Sequence, residues 1–356
     1  MSYPLIQKFE SPLSSVSAFG AYRDRPFSFF LDSGLGNERL GRYSFVGADP
    51  FLVVKSRGRR VSVGPPGVDR WEDGDPFDVV RRLLDQYRLE PHFSPVPLNG
   101  GAIGYLSYDL CHFIERLPST AEDDLQLPES CLGFYDVVVA FDHLLGKAYA
   151  ISTGFPELDE SKRVKRAMER LSQTSLLMSE AGRQSLPCKF EMSERALRLR
   201  SNFAHNDYLK AVQRAREHII AGDIFQVNIS QRFDTDLNVT PYELFSRLRQ
   251  SNPAPFACYF ATDEVAVVGS SPERFLRLEG DVVETRPIKG TRPRGKDERE
   301  DRRMSAELLA SAKDRAENVM IVDLERNDLG RACCYGSIKV TELAALEKWP
   351  AVFHLT

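Results

Sequence analysis

A lysine and a glutamate at the open end of a predicted hairpin are the most informative residues of the sequence. Two strand-like runs, residues 275–278 and 282–285, flank a turn that includes Asp281. Glu273 and Lys289 lie eight residues either side of Asp281, so strand pairing would make them cross-strand neighbours. An acid and an amine would therefore meet at the mouth of a sheet.

Lys289 allows two interpretations from its residue type. It can be a surface lysine that pairs with Glu273 or another carboxylate, or it can be a nucleophile or general base. The second role requires a neutral amine, which burial or nearby like charge favours. Three arginines of the same segment can supply that charge, namely Arg286, Arg292 and Arg294.

Two further carboxylates, Asp314 and Glu317, are spaced i, i+3 in a predicted helix and so share a face. Mg²⁺ binds through one or two carboxylates together with waters and substrate oxygens, which makes both residues candidate metal ligands. Lys313 with Glu317, and Glu325 with Arg326, can equally be ordinary surface pairs. Magnesium, a lysine and a glutamate together would suit an anionic carboxylate substrate.

A helix followed at once by a strand opens the second half of the sequence. Apolar spacing predicts the helix from a cap at Asn206 or Asp207 to Gly222. Residues 223–233 alternate between apolar and polar side chains, which predicts a strand with Gln226 on its polar face. A polar strand face commonly meets solvent, and the alternative is that it lines a cleft.

The remaining elements predict an α+β fold with mainly antiparallel sheet, because strands occur without regular βαβ alternation. Predicted strands are 27–31, 43–46, 51–55, 61–63, 135–141, 149–153 and 265–268, and predicted helices are 75–89, 157–180 and 305–329. A polar connection at 181–201 separates two predicted domains, 1–195 and 200–356.

Composition excludes several classes of protein. The 356 residues carry a net charge of −4, so no overall basic field would attract nucleic acid or anionic lipid. No apolar run approaches the length of a membrane helix, and the first residues lack the form of a secretion signal. The six cysteines are scattered, which favours a reducing compartment over a disulfide framework or a cysteine zinc site. We therefore expect a cytoplasmic protein.

The order of several segments resembles the chorismate-utilising enzymes, which include anthranilate synthase component I, aminodeoxychorismate synthase component I and the isochorismate and salicylate synthases. The resemblance lies in residues 222–230, 271–275, 287–295, 313–318 and 321–331, with 41–50 and 100–105 similar to the anthranilate and aminodeoxychorismate branches. It implies an α+β fold in which two mainly antiparallel sheets pack between helices around a cleft.

Two positions imply which branch of that family the chain resembles. The water-activating branches have a lysine where this chain has Gln226, and glutamine cannot serve as a base. Anthranilate synthases usually have alanine at the position of Lys289, whereas aminodeoxychorismate synthases have a lysine that attacks ring C2. The segment 253–256 is also similar to that second branch. The resemblance thus implies conversion of chorismate to 4-amino-4-deoxychorismate, a precursor of p-aminobenzoate and folate.

The same resemblance implies roles for individual residues. Glu273 would protonate the leaving C4 hydroxyl, and Mg²⁺ would be held by Glu317 with Asp314 in support. Gly290, Thr291, His354 and Gln226 would line the substrate, although a lone histidine such as His354 is more often structural. A separate glutamine amidotransferase subunit would supply ammonia.

A tryptophan-binding site is a further implication of the resemblance. Residues 30–33 are similar to the family's Leu-Leu-Glu-Ser motif, except that Asp32 stands in the place of the glutamate. Phe256 also departs from the family pattern. Asp32, Ser33, Pro255 and Phe256 are the candidate pocket, and a plain core strand is the alternative.

Three functional hypotheses remain open. The chain is an aminodeoxychorismate synthase component, an anthranilate synthase component, or a binding-only or inactive fragment of either. The third is motivated by the last residues, 349–356, which lie in a predicted strand. Family members continue for roughly a hundred residues beyond this point, about the size of a small domain, so we expect the fold to be incomplete at the C-terminus.

Overall fold

All strand pairs in the described part of the chain are antiparallel. The structure is a computed structural model that describes residues 3–9, 13–33, 40–90, 92–182 and 198–356. Its strands are β1 (Leu5–Lys8), β2 (Phe29–Asp32), β3 (Tyr43–Gly47), β4 (Leu52–Arg57), β5 (Arg60–Gly64), β6 (Trp71–Asp73), β7 (Gly101–Leu106), β8 (Ser130–Tyr135), β9 (Val137–Asp142), β10 (Lys147–Ser152), β11 (Arg200–Ser201), β12 (Phe233–Asp234), β13 (Phe256–Ala261), β14 (Ala266–Ser271), β15 (Arg274–Glu279), β16 (Val282–Arg286), β17 (Thr291–Pro293), β18 (Leu346–Lys348) and β19 (Val352–Leu355). Its helices are α1 (Ser15–Gly20), α2 (Pro76–Gln86), α3 (Glu160–Ala181), α4 (His205–Ala221), α5 (Pro241–Ser251), α6 (Glu298–Ala310) and α7 (Ala312–Gly330), with a 3₁₀ helix at Tyr108–Phe113. None of these helices is both long enough and apolar enough to cross a bilayer.

Two large sheets hold the main core. A seven-stranded sheet has the order β1-β10-β9-β3-β2-β13-β14, and a five-stranded sheet has the order β6-β5-β4-β8-β7. Their core includes Phe29, Tyr135, Ile151 and Phe260, all buried. The Tyr135 hydroxyl donates to the carbonyl oxygen of Phe27 at 2.6 Å, which satisfies a buried polar group. The α+β class predicted from the sequence is confirmed.

The run predicted as one strand, 135–141, is two strands, β8 and β9, which belong to different sheets. Asp136 lies between them with its side chain buried. Its carboxylate pairs with Arg166 at 3.1 Å and with Arg170 at 3.2 Å, both on α3. A buried carboxylate requires such partners. Asp136 is therefore held in place by α3, at the point where the chain passes from one sheet to the other.

The helix predicted for 305–329 is also two elements, α6 and α7, and they meet at Ser311. Ser311 has an extended backbone, and its hydroxyl accepts a hydrogen bond from the Asp314 amide at 3.2 Å. Serine favours such a cap over a helix interior. A small core of Leu308, Phe353 and Leu355 packs α6 against β19.

The helix predicted to end at Gly222 is confirmed as α4, and Gly222 takes the left-handed conformation with φ of 82°. Its cap is Ala204 rather than Asn206 or Asp207. The strand predicted for 223–233 is wrong, because only Phe233 and Asp234 pair, with β11. A strand needs a partner for its backbone groups, and alternation of side chains alone does not supply one.

The described chain divides into two units, residues 1–186 with 245–356 and residues 187–244. The seven-stranded sheet takes β13 and β14 from beyond residue 200. The predicted polar connection, 181–201, falls mostly outside the described residues. The predicted domain boundary therefore stays a prediction.

A buried lysine joins the two large sheets. The side chain of Lys55, on β4, is 3 % exposed, and its Nζ lies 3.1 Å from Asp263, 3.2 Å from Glu264 and 3.7 Å from Asp69. Asp263 and Glu264 belong to the turn between β13 and β14. Burial lowers the pKa of Lys55, but the hydrogen bonds to these two carboxylates and the negative charge of Asp263 and Asp69 together outweigh burial, and the net result is a raised pKa.

Replacing Lys55 with methionine should destabilise the protein by about 1–3 kcal/mol at pH 7, because the carboxylates lose their cation. The raised pKa of Lys55 makes the contribution of this charge present below the unfolded pKa of about 10.4 and lost as pH rises through the folded pKa. Thermal unfolding against pH measures both effects. The exposed Lys147→Met is the control, and equal stability of the two variants at pH 7 would contradict the assigned role.

Candidate active site

Glu273 and the segment that carries Lys289 meet at the open end of the β15–β16 hairpin. Arg274 pairs with Arg286, and a register shift follows in β15, so Glu273 does not face Lys289 as the symmetric hairpin predicts. Glu273 Oε1 instead accepts a hydrogen bond from the Ile288 amide at 2.7 Å. Lys289 Nζ makes no ion pair or hydrogen bond with any residue in the described ranges, so it is not engaged within that part of the chain.

The backbone of Lys289 is fixed by the neighbouring strand. Its amide donates to the Leu355 oxygen at 3.0 Å, and the Leu355 amide donates to the Gly290 oxygen at 3.2 Å. Gly290 has φ of 82°, and a Cβ placed there would lie 2.8 Å from Asp314 Cβ and 3.1 Å from Leu308 Cδ1. Glycine is therefore required by both conformation and contact, and the segment packs on the first turn of α7.

Thr291, His354 and Glu347 form a row across the three-stranded sheet β17-β19-β18. A hydrogen bond of 3.0 Å joins Thr291 Oγ1 and His354 Nδ1. His354 is buried, and this burial lowers its pKa, while the carboxylates of Glu347 and Glu273 oppose the shift. The structure thus places Thr291 in contact with His354, with the Glu273 carboxylate close enough to act on the imidazole.

Asp314 and Glu317 differ in what their carboxylates contact. Asp314 Oδ2 accepts from Arg292 at 3.0 Å, whereas Glu317 has no hydrogen bond or ion pair with the residues that the structure describes. No group of three or more His, Cys, Asp or Glu side chains in the described chain is suited to hold a metal by itself. One free carboxylate beside a neutralised one fits Mg²⁺, which takes its remaining oxygens from water and substrate.

Two residues of α7 that sequence reasoning missed lie on the same face as Asp314. Asn318 is completely buried, and neither its amide oxygen nor its amide nitrogen has a hydrogen-bond partner. Glu325 Oε2 is also buried without a partner. Spacings of four and seven residues place Asp314, Asn318 and Glu325 on one helical face. This spacing is the feature of the sequence that could have identified Asn318 and Glu325.

The sequence allowed Glu325 to be a surface residue paired with Arg326, but the structure does not form this pair. Arg326 lies 3.4 Å from Asp323 instead. Burial raises the pKa of Glu325 and the Glu273 carboxylate raises it further, while the Thr285 hydroxyl and Lys289 lower it. The direction of the net shift is upward, so Glu325 belongs electrostatically to the Glu273–Lys289 neighbourhood.

The arginines expected to repel a proton from Lys289 are each paired with carboxylates. Arg286 contacts Glu347, and Arg292 lies 2.9 Å from Glu307 in addition to its contact with Asp314. The Arg294 guanidinium bonds both oxygens of Asp301, at 2.7 and 2.6 Å, and that contact lowers the pKa of Asp301. Their positive charge is thus largely neutralised within the chain, and they do not supply the predicted like charge.

Residues 19–356 match the family described as chorismate binding enzyme. The chain belongs to the chorismate binding enzyme family. Its relatives include anthranilate synthase component 1 of Thermus thermophilus, 38 % identical over 93 % of this chain and 68 % of the relative. Aminodeoxychorismate synthase component 1 of Bacillus subtilis is 35 % identical over 90 % of this chain and 67 % of the relative. The solved structure of anthranilate synthase component I from Streptococcus pneumoniae superposes with a TM-score of 0.73 at 25 % identity, covering 90 % of this chain and 70 % of that one.

Gln226 of this chorismate binding enzyme lies in the 187–244 unit. Its amide nitrogen is 3.4 Å from Asn228 Oδ1, and its amide oxygen is buried without a partner. Leaving a buried carbonyl oxygen without a hydrogen bond costs free energy. The amide oxygen of Gln226 is thus an acceptor that no described group uses. Its predicted role toward substrate stays a prediction.

The candidate tryptophan pocket of the chorismate binding enzyme lies where β2 meets β13. The Ser33 hydroxyl donates to the Pro255 oxygen at 2.9 Å. The buried Asp32 carboxylate accepts from Ser44 at 2.9 Å and pairs with Arg249. The Phe256 ring, the fourth predicted member, lies under the guanidinium of Arg274 at 5.4 Å. These polar side chains already have partners in the chain, which is the pattern of a structural cluster, and tryptophan binding stays a prediction.

Substituting Gly290 with alanine should reduce stability by about 2–4 kcal/mol, since backbone strain adds to the clash with Asp314 and Leu308. Gly280→Ala is the matched control. Gly280 also has positive φ, at 58°, but nothing lies within 4 Å of its Cβ position, so only about 1 kcal/mol is expected there. Thermal unfolding compares the two, and equal losses would show that Gly290 does not pack on α7.

Proposed function

We propose that this chorismate binding enzyme is an aminodeoxychorismate synthase component I, which converts chorismate and ammonia to 4-amino-4-deoxychorismate. The observation that supports this most strongly is the Lys289 side chain, which makes no ion pair in the described chain and directly follows Ile288, whose amide donates to Glu273. Nucleophilic catalysis needs such an amine in contact with the reacting ring. The name of the Bacillus subtilis relative gives further support.

Lys289 and Glu273 have different roles in the first chemical step, in which the C4 hydroxyl leaves. Lys289 Nζ attacks C2 of the ring, the double bond shifts, and the bond from C4 to its hydroxyl breaks. Hydroxide is a poor leaving group, so Glu273 donates the proton that lets water depart. Ammonia then attacks C4, the bond from C2 to Nζ breaks, and the new ammonium returns a proton to Glu273.

The chain also has the residues to hold Mg²⁺. Glu317 would be the direct ligand, because its carboxylate is not engaged by other described residues. Asp314 would support it from a position fixed by Arg292. Bound Mg²⁺ would neutralise the ring carboxylate and stabilise charge as the diene shifts.

Ammonia would come from a separate glutamine amidotransferase subunit, because ammonium dominates over free ammonia at neutral pH. The product would serve p-aminobenzoate and folate synthesis, in the cytoplasm. A second candidate is anthranilate synthase component I, which the 38 % identity to the Thermus thermophilus relative favours. It would release anthranilate and pyruvate.

Product analysis with chorismate, Mg²⁺ and an ammonium salt tests the proposal. The wild type should form 4-amino-4-deoxychorismate, and Lys289→Ala should form it at least about 100-fold more slowly, since the covalent route is lost. Lys296→Ala, an exposed lysine of the same segment, should be unaffected. Anthranilate as the product, at a rate independent of Lys289, would overturn the proposal. Absence of turnover would favour the binding-only hypothesis.

Glu317→Gln should raise the Mg²⁺ concentration needed for half-maximal rate by about 10-fold or more, because a neutral amide is a weaker ligand than a carboxylate. Initial rates over a magnesium titration measure the shift. Glu298→Gln, on the exposed start of α6, controls for general loss of negative charge. A magnesium dependence unchanged by Glu317→Gln would rule out the assigned ligand.

A further inference from the structure

Glu325 has a carboxylate oxygen that no described group satisfies. Its Oε2 is buried and accepts no hydrogen bond, although an ionised buried oxygen without a donor is energetically costly. Protonation removes most of that cost because the neutral carboxyl needs less solvation. Neither the binding of magnesium nor the covalent step proposed above uses this residue.

Three charged groups act most strongly on Glu325. Glu273 faces it from the turn before β15, Lys289 faces it from the segment after β16, and Asp328 lies one turn further along α7. Lys289 is the single cation among them. The nearby arginines are already paired with Glu347, Asp314, Glu307 and Asp301. Among the groups that act most strongly on Glu325, carboxylates therefore outnumber cations before any ligand arrives.

An anionic ligand increases that excess. Chorismate carries two carboxylates, and a like charge brought close to a carboxylate favours its protonated form. Exclusion of water by the ligand acts in the same direction, since it lowers the local dielectric. Mg²⁺ near Glu317 would neutralise one ligand carboxylate, but Glu317 and Glu325 are eight residues apart on α7, about 12 Å along the helix.

We propose that binding of a ring dicarboxylate is coupled to uptake of one proton, and that Glu325 is the residue that takes it. The bond that forms is O–H at Oε2, and the proton comes from solvent. Glu325 thereby becomes neutral beside the bound dianion, and Glu273 is left to its separate role in the first chemical step. The inference rests on the proposed function in taking chorismate as the ligand.

Calorimetry in two buffers of different ionisation enthalpy measures the proton count directly. The probe is 3-(1-carboxyethoxy)benzoate, an aromatic diacid that places two carboxylates as chorismate does and has no hydroxyl to lose. The wild type should take up as much as about one proton per ligand at pH values between the pKa of Glu325 in the free protein and its pKa in the complex, and within that window the affinity should fall by up to about 10-fold per pH unit. Mg²⁺ is present throughout.

Glu325→Gln is the decisive variant, because glutamine is a neutral substitute for the protonated acid. It should bind the diacid with almost no proton uptake and with affinity independent of pH, exceeding the wild type at high pH. A merely structural role for Glu325 would weaken binding at every pH instead. Asp323→Asn, an exposed carboxylate of the same helix, should behave as wild type.

Other outcomes overturn the inference in distinguishable ways. If Glu273→Gln abolishes proton uptake while Glu325→Gln retains it, the proton resides on Glu273 and the inference is wrong. Binding without proton uptake in the wild type also contradicts it, and leaves the proposed function intact. Failure of both the diacid and chorismate to bind contradicts the proposed function as well.

Discussion

The pairing of residues 289–291 with β19 is the constraint on which the candidate site depends. Hydrogen bonds between Lys289, Gly290 and Leu355 fix the backbone of the segment that carries the Lys289 side chain. The same pairing sets Thr291 opposite His354. Because Gly290 has no side chain, the segment lies directly against Asp314 on α7. One short stretch of strand therefore places the proposed nucleophile, a hydrogen-bonded histidine and the proposed metal helix together.

Charge is neutralised unevenly within this site. Around it, arginines are matched with carboxylates, as Arg294 is with Asp301 and Arg292 with Asp314. Inside it, Lys289 and Glu317 have no ion pair among the described residues, and Glu325 has an unsatisfied buried oxygen. Folded proteins rarely leave buried polar groups unpaired without a functional reason. An anionic substrate and a divalent cation are the partners that such a set can accept.

The sequence predicts this fold well where a pattern is local. The hairpin about Asp281 and the end of α4 at Gly222 follow from turn and capping preferences, and the structure confirms them. Prediction of strands and of their register fails where contacts between distant parts of the chain decide the structure. Residues 223–233 alternate between apolar and polar side chains as a strand does, but strand pairing is found only at Phe233 and Asp234. A bulge in β15 shifts Glu273 out of register with Lys289, and the pattern of side chains does not reveal such a bulge.

The candidate site is predictable to the same extent. Residue type and spacing indicate Lys289, Glu273, Glu317 and Asp314, and a family resemblance adds His354. Glu325 is missed because an adjacent arginine offers a surface pairing, whereas the structure pairs Arg326 with Asp323. Burial of a carboxylate is a property of packing, and only the three-dimensional arrangement reveals it.

The central claim is that Lys289 forms a covalent bond to the ring of chorismate. Acid-quenched protein, mixed with chorismate and Mg²⁺ in the absence of ammonia, can be analysed by intact mass and then by peptide mapping. We expect an added mass equal to chorismate less one water, located on the peptide that contains Lys289 and absent from Lys289→Ala. Formation of product from ammonia with no such adduct at any quench time would contradict the claim.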